Sequence, residues 1–186
     1  VNLAVQLRKL GKRVIIFDAD LGLANVEVMF GAIPKYNLSD LIYQGRDIRE
    51  IITPGPMDIG FISGGSGIVT MNNLTKDQIS YLVHSLSKLD ELADVILIDT
   101  PPLGSVIDTA IIAPKCDGVV LVVEANKCSY HFVQDIRKQL EITDCRILGV
   151  VLNKVKVEKS GYYNRYYKGG YYKGYYKPYY EDKGEK

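Results

Sequence analysis

The sequence predicts an α/β fold, a mostly parallel sheet with helices on both faces. Three observations predict it. Short apolar runs rich in Val and Ile alternate along the chain with stretches of helical periodicity. That alternation is the signature of right-handed βαβ units. Two of the apolar runs also stop at carboxylates, Val14-Ile15-Ile16-Phe17-Asp18-Ala19-Asp20 and Val95-Ile96-Leu97-Ile98-Asp99-Thr100-Pro101-Pro102. In open α/β sheets, ligands bind beyond the carboxyl ends of the strands.

The elements follow in order. Val1 to Leu10 carries a helical apolar pattern closed by Gly11, the end of a helix with no N-cap and no strand before it. If this helix is a crossover, a strand precedes it. Arg13 to Phe17 reads as a strand and Asp18 to Asn25 as a loop. Val26 to Phe30 is a short apolar segment. Asn37 and Ser39 offer caps for a helix through Leu41 and Tyr43, and Asp47 to Ile52 reads as a second short helix. Thr53-Pro54-Gly55-Pro56 is a turn. Met57 to Ser63 reads as a strand ending in Gly64-Gly65-Ser66-Gly67, a flexible loop that lacks the Lys-Ser/Thr of a P-loop.

Leu74 to Leu92 is the best-marked helix. Thr75 and Gln78 have capping-box spacing, and Ile79, Leu82, Val83, Leu86 and Leu89 form one stripe. The run Val95 to Ile98 reads as a strand buried on both faces, stopped by two prolines that cannot donate to a ladder. Val106 to Ile112 is expected to be helical and Val119 to Val123 to be a buried strand. Ser129 to Leu140 is a helix with Phe132, Val133, Ile136 and Leu140 inward. Ile147 to Leu152 is the fifth and last strand, ending at Asn153-Lys154.

Composition narrows the classes. A 186-residue chain with 47% hydrophobic residues suits one packed domain with a tail. A net charge of +1 advertises neither nucleic acid nor a membrane surface. The three cysteines have no metal-type spacing and fit a reduced, cytosolic setting, and the two histidines read as ordinary helix residues. No apolar run approaches the about 18 residues of a membrane span, and no signal peptide is visible. Any membrane association is expected to come through a partner.

The paired strand ends suggest a nucleotide–metal site. Mg²⁺ takes oxygen ligands and keeps several waters, so one or two carboxylates beside phosphates suffice. The same arrangement offers a carboxylate base for a hydroxyl that attacks a phosphate. Taken singly, such an aspartate serves equally well as a structural cap.

The C-terminal segment differs in composition. Ten of the chain's 14 tyrosines stand there in adjacent pairs: Tyr162, Tyr163, Tyr166, Tyr167, Tyr171, Tyr172, Tyr175, Tyr176, Tyr179 and Tyr180. Gly and Lys fill the intervals, and no aliphatic residue after Val157 anchors the segment to a core. Residues 158–186 therefore read as a disordered tail and residues 1–157 as the folded domain. Three uses fit the tail: none beyond low complexity, nucleic-acid stacking, or multiple phosphate acceptance by exposed hydroxyls.

ILIDTPPLGSVIDTAIIAPKCDGVVLVVEAN and ILGVVLNKV, followed by the paired tyrosines, closely resemble the cytoplasmic bacterial tyrosine kinases of capsule and exopolysaccharide synthesis. FDADLGLANVEVMFG, PKYNLSDLI and FISGGSGI look more like the flagellar-number and Min-type ATPases. All share the P-loop NTPase fold with deviant Walker motifs. The resemblance implies a tyrosine kinase using ATP and Mg²⁺, with VILIDTPP as Walker B and IIFDAD as Walker A′. It implies that Asp99 positions Mg²⁺ with Asp20 assisting, that Asp18 activates the tyrosine hydroxyl, and that Asn153 contacts the base. It further implies a membrane-embedded polysaccharide co-polymerase as activator, homo-oligomers, and a place at the inner face of the membrane. The alternative is a Min/flagellar-type positioning ATPase without kinase activity. The Glu-x-x-Arg-x-x-Arg oligomerisation motif of the kinases is not found after Asp20. The Walker A loop, which in this fold lies between the first strand and the helix ending at Leu10, is not in the sequence either. The expectation is a fragment, or a join of two relatives, that binds ATP poorly as it stands.

Overall fold

The computed structural model describes residues 1–20, 25–65, 74–102, 112–142 and 145–155. The elements run α1 (Asn2–Lys9), β1 (Val14–Asp18), α2 (Val26–Phe30), α3 (Leu38–Gln44), β2 (Thr53–Pro54), β3 (Gly60–Ile62), α4 (Lys76–Ser87), β4 (Val95–Asp99), β5 (Val119–Glu124), α5 (Tyr130–Ile142) and β6 (Ile147–Asn153), with short 3₁₀ turns between. The main sheet has the order β2-β3-β1-β4. β1 runs parallel to both neighbours, and β2 is a two-residue antiparallel edge on β3. β5 and β6 form a separate parallel pair.

β1 is the axis of the main sheet, and its five residues are all buried. Alternation along the strand divides them between two cores. Ile15 and Phe17 pack with Leu38 and Leu41 of α3 and Leu82 of α4. Val14 and Ile16 pack with Ala4 of α1, Val26 of α2 and Phe61 of β3. Both faces are thus covered, as a parallel sheet requires. The helices that cover them are well terminated. Asn37 and Thr75 each make a full capping box, with Asp40 and Gln78 as the reciprocal partners.

Several expected features differ. The Met57–Ser63 strand shortens to Gly60–Ile62, because Met57 and Asp58 take left-handed backbone (φ 58° and 57°) that cannot join a ladder. Thr53 and Pro54, expected as a turn, pair with β3 instead. The long helix stops at Ser87 and tightens into a 3₁₀ turn.

β4 is only half buried, not buried on both faces. It pairs with β1 on one edge, and no described strand pairs with the other. β5 likewise alternates between half-buried and exposed residues, because α5 covers one face through Ile136 and Leu140 while Val120 and Val122 stay open to solvent. Phe132, expected inward, is 47% exposed. The segment 106–111 and the tyrosine pairs lie outside the described residues.

One ion pair seams the entry ends of β1 and β4. The Asp94 carboxylate accepts from the Arg13 backbone N–H at 2.8 Å and from the guanidinium at 2.8 and 3.1 Å. The Arg13 guanidinium in turn holds the Asp94 carboxyl below the usual carboxylate range. A group held low in the folded state adds stability above its unfolded pKa of about 3.9, and loses it as the pH falls through the folded value. Asp94→Ala is therefore expected to lower Tm by a few degrees at pH 7, the difference closing on titration into the acid range. Thermal melts across pH check this.

Candidate active site

The register of β1 against β4 places Asp18 directly beside Asp99, each the last residue of its strand. The two side chains meet opposite environments. Asp18 is 1% exposed, whereas Asp99 faces solvent. The backbone continues the pairing past the strand ends, with the Ala19 N–H donating to the Asp99 carbonyl at 2.8 Å.

The Asp18 carboxylate is seated by three backbone N–H groups. Oδ1 accepts from Asp20 at 3.2 Å; Oδ2 accepts from Asn25 at 2.9 Å and Val26 at 3.1 Å. The last two belong to the start of α2, so the chain loops back and presents amides to its own strand end. Burial pushes the Asp18 carboxyl above its ordinary value, opposed by the three amides and reinforced by the nearby Asp99 charge.

Asp20 follows two residues after Asp18, beyond the strand. Asp99, solvent-facing at its strand end, and Asp20 offer carboxylate oxygens of the kind a hard cation takes beside water and phosphate oxygens, whereas both Asp18 oxygens are already occupied by amides. Among the described residues no group of three or more His, Cys, Asp or Glu gathers as a complete metal cage. The donors described fit Mg²⁺ bound together with phosphate.

Asn153 stands apart from this pair. It ends β6 in the second sheet, opposite Glu124 in the register. Its backbone carbonyl accepts from Ala125, and its side chain accepts from the Lys154 N–H. Lys154 and Lys127 both pair with Glu124, at 3.1 and 3.3 Å. The ten tail tyrosines lie outside the described residues.

Sequence reasoning missed two members of the site's support. Ser63, just past β3, is a buried hydroxyl, and it donates to the Glu27 carboxylate of α2 at 2.9 Å. The residues are 36 apart, and although each lies in a stretch that resembles the Min-type ATPases, the only local signal was a polar residue ending an apolar run.

Residues 1–148 match the family model described as an AAA domain. The tyrosine-protein kinase CpsD of Streptococcus agalactiae is 32% identical over 168 residues, covering 89% of this chain and 73% of the relative. The antiactivator FleN of Pseudomonas aeruginosa is 39% identical over 100 residues, 54% of this chain and 36% of the relative. Among solved structures, the chimerical protein CapA2B2 superposes with a TM-score of 0.73 at 25% identity, over 83% of this chain and 68% of its own. The fold, the paired strand-end carboxylates and these likenesses agree: the chain belongs to the AAA-domain family of P-loop NTPases, alongside the bacterial tyrosine-protein kinases represented by CpsD.

Proposed function

We propose that this chain is the catalytic part of an ATP- and Mg²⁺-dependent protein-tyrosine kinase that phosphorylates its own C-terminal tyrosine cluster. Residues 1–157 are the catalytic unit and residues 158–186 the acceptor tail. The observation that carries the reading is the Asp18–Asp99 pair, one carboxylate buried and one solvent-facing at adjacent strand ends. The likeness to CpsD, whose name is that of a tyrosine-protein kinase, supports it.

The roles divide by environment. Asp99, exposed, holds Mg²⁺ with help from Asp20; when bound, the ion neutralises charge on the phosphate oxygens. Asp18 takes the proton from the attacking tyrosine hydroxyl. Its burial favours that task, since a desolvated carboxylate is a better proton acceptor than a free one. The amides on Oδ1 and Oδ2 fix its orientation. Asn153, at the end of β6, contacts the nucleotide base. Transfer takes place between subunits of a homo-oligomer, the tail of one entering the site of the next.

In the cell the enzyme regulates capsular or exopolysaccharide synthesis and export, activated by a membrane-embedded polysaccharide co-polymerase. It works in the cytoplasm at the inner face of the membrane. No described helix is long and apolar enough to cross a membrane, which is consistent with attachment through such a partner.

The likeness to FleN favours a second reading, a Min/flagellar-type positioning ATPase without kinase activity. The two separate in one assay. The full-length protein, with its activator and Mg-ATP, is expected to gain phosphotyrosine in residues 162–180, read by mass spectrometry. ATP turnover with an unmodified tail would establish the second reading instead.

Asp18→Asn is expected to lower phosphorylation by at least about 100-fold, the usual contribution of an acid–base group, and Asp99→Asn to lower it by weakening the hold on Mg²⁺. Asp18→Asn carries a further expectation. A carboxyl raised by burial costs stability when ionised; that cost is absent below the unfolded pKa of about 3.9, builds as the pH rises from there, and levels off above the folded value. Asn keeps one acceptor oxygen for the three amides and so carries a constant cost of its own, but wild-type stability should fall relative to the variant as the pH rises from 4 toward 7. Calorimetry across pH reads the sign directly.

A further inference from the structure

The support under Asp18 depends on a helix with few anchors. α2 has five residues, too short to hold its own shape. Its Val28 and Met29 are exposed at 77% and 63%. Two apolar contacts hold it: Val26, buried in the core, and Phe30, edge-on to Phe61 at 5.5 Å between ring centroids. Its polar tie to the sheet is Glu27, whose carboxylate accepts from the Ser63 hydroxyl at 2.9 Å.

The register shows why that tie matters. Phe17 of β1 pairs with Ile62 of β3. Both belong to the core on the α3–α4 side, whereas Ile16 and Phe61 belong to the core on the α1–α2 side. Alternation then turns the next residues, Asp18 and Ser63, toward the α1–α2 side together. α2 lies across both. It gives backbone amides of Asn25 and Val26 to Asp18, and it receives the hydroxyl of Ser63 on Glu27.

Ser63 is itself fixed from several directions. Its carbonyl accepts from the Leu38 N–H at the start of α3, and its Oγ accepts from the Gly65 N–H. Gly65 has φ +73° and lies so close to Asn37 that a Cβ would sit 2.5 Å from that side chain. The hydroxyl that grips Glu27 is therefore held by β3, α3 and a tight turn at once.

We propose that Glu27 and Ser63 are a positioning pair for the catalytic carboxylate: their hydrogen bond holds α2 in the one orientation that keeps the Asn25 and Val26 amides on Asp18 Oδ2. The proposal rests on Asp18 being the proton acceptor. Neither residue touches the reacting atoms. Their bond acts on proton transfer and leaves nucleotide binding alone.

Two readouts on the full-length protein test it. The first needs no enzyme activity: amide hydrogen exchange at Asn25 and Val26, followed by NMR. Loss of one hydrogen bond of ordinary net strength corresponds to about ten-fold. Glu27→Ala and Ser63→Ala should each speed exchange at these two amides by about that factor. Glu27→Gln, which keeps an acceptor oxygen for Ser63, should stay within about two-fold of wild type. The second is phosphotyrosine formation with Mg-ATP and the activator. Glu27→Ala should lower kcat by about ten-fold with KM for ATP unchanged. Glu27→Gln should restore kcat, and the double Ala variant should be no worse than either single one.

Unchanged exchange in both Ala variants overturns the proposal, as do multiplying effects of the two substitutions or a Glu27→Gln variant as impaired as Glu27→Ala. A wild-type protein that forms no phosphotyrosine overturns the kinase reading, and the pair is then judged on exchange alone. Should Glu27→Ala fail to fold, Ser63→Ala and Glu27→Gln carry the same comparison.

Discussion

The structure depends on one buried carboxylate. Asp18 lies at the exit of the only described strand whose residues are all buried, and its negative charge has been taken out of water. Such a group is tolerated because three amides converge on it. Around that requirement the local chain path makes sense. The segment after β1 has to return so that Asn25 and Val26 reach Oδ2, and α2 has to stay short enough to end at Gly31, in left-handed backbone, before turning away.

The two aspartates illustrate how one residue type acquires different tasks. They are register partners on adjacent strands, yet one is enclosed by α2 and the other is open. In the proposed mechanism, burial suits the first to accept a proton and exposure suits the second to meet a hydrated cation. The pattern parallels other enzyme sites in which two carboxyl groups are separated in role by environment alone.

The strand ends were legible in the sequence because each was a continuous apolar run stopped by Asp, and the Thr75 cap was legible because its capping box is a four-residue signal; for α3 both Asn37 and Ser39 were open, and the structure uses Asn37. The burial of β4 and β5 was not. An unbroken Val/Ile run reads as buried on both faces, but β4 has an edge without a described partner and β5 is covered by α5 on one side only. Met57 and Asp58 defeated the strand reading because left-handed backbone in a non-glycine residue leaves no compositional mark. Glu27 and Ser63 meet only through the stacking of α2 on β3, which no local pattern encodes.

The adjacency of Asp18 and Asp99 has a consequence for assembly of the native state. The strands that carry them join across a wide interval; the Arg13–Asp94 bonds at their other ends link residues 81 apart. Closing so large a loop costs chain entropy before any local contact repays it, and parallel pairing of distant strands is slow by nature. β5, α5 and β6, by contrast, form a contiguous βαβ unit that needs no such closure. Whatever the order of events, Asp18 and Asp99 become neighbours only once the β1–β4 ladder exists. Under the proposed function, phosphotyrosine formation would therefore report a completed sheet.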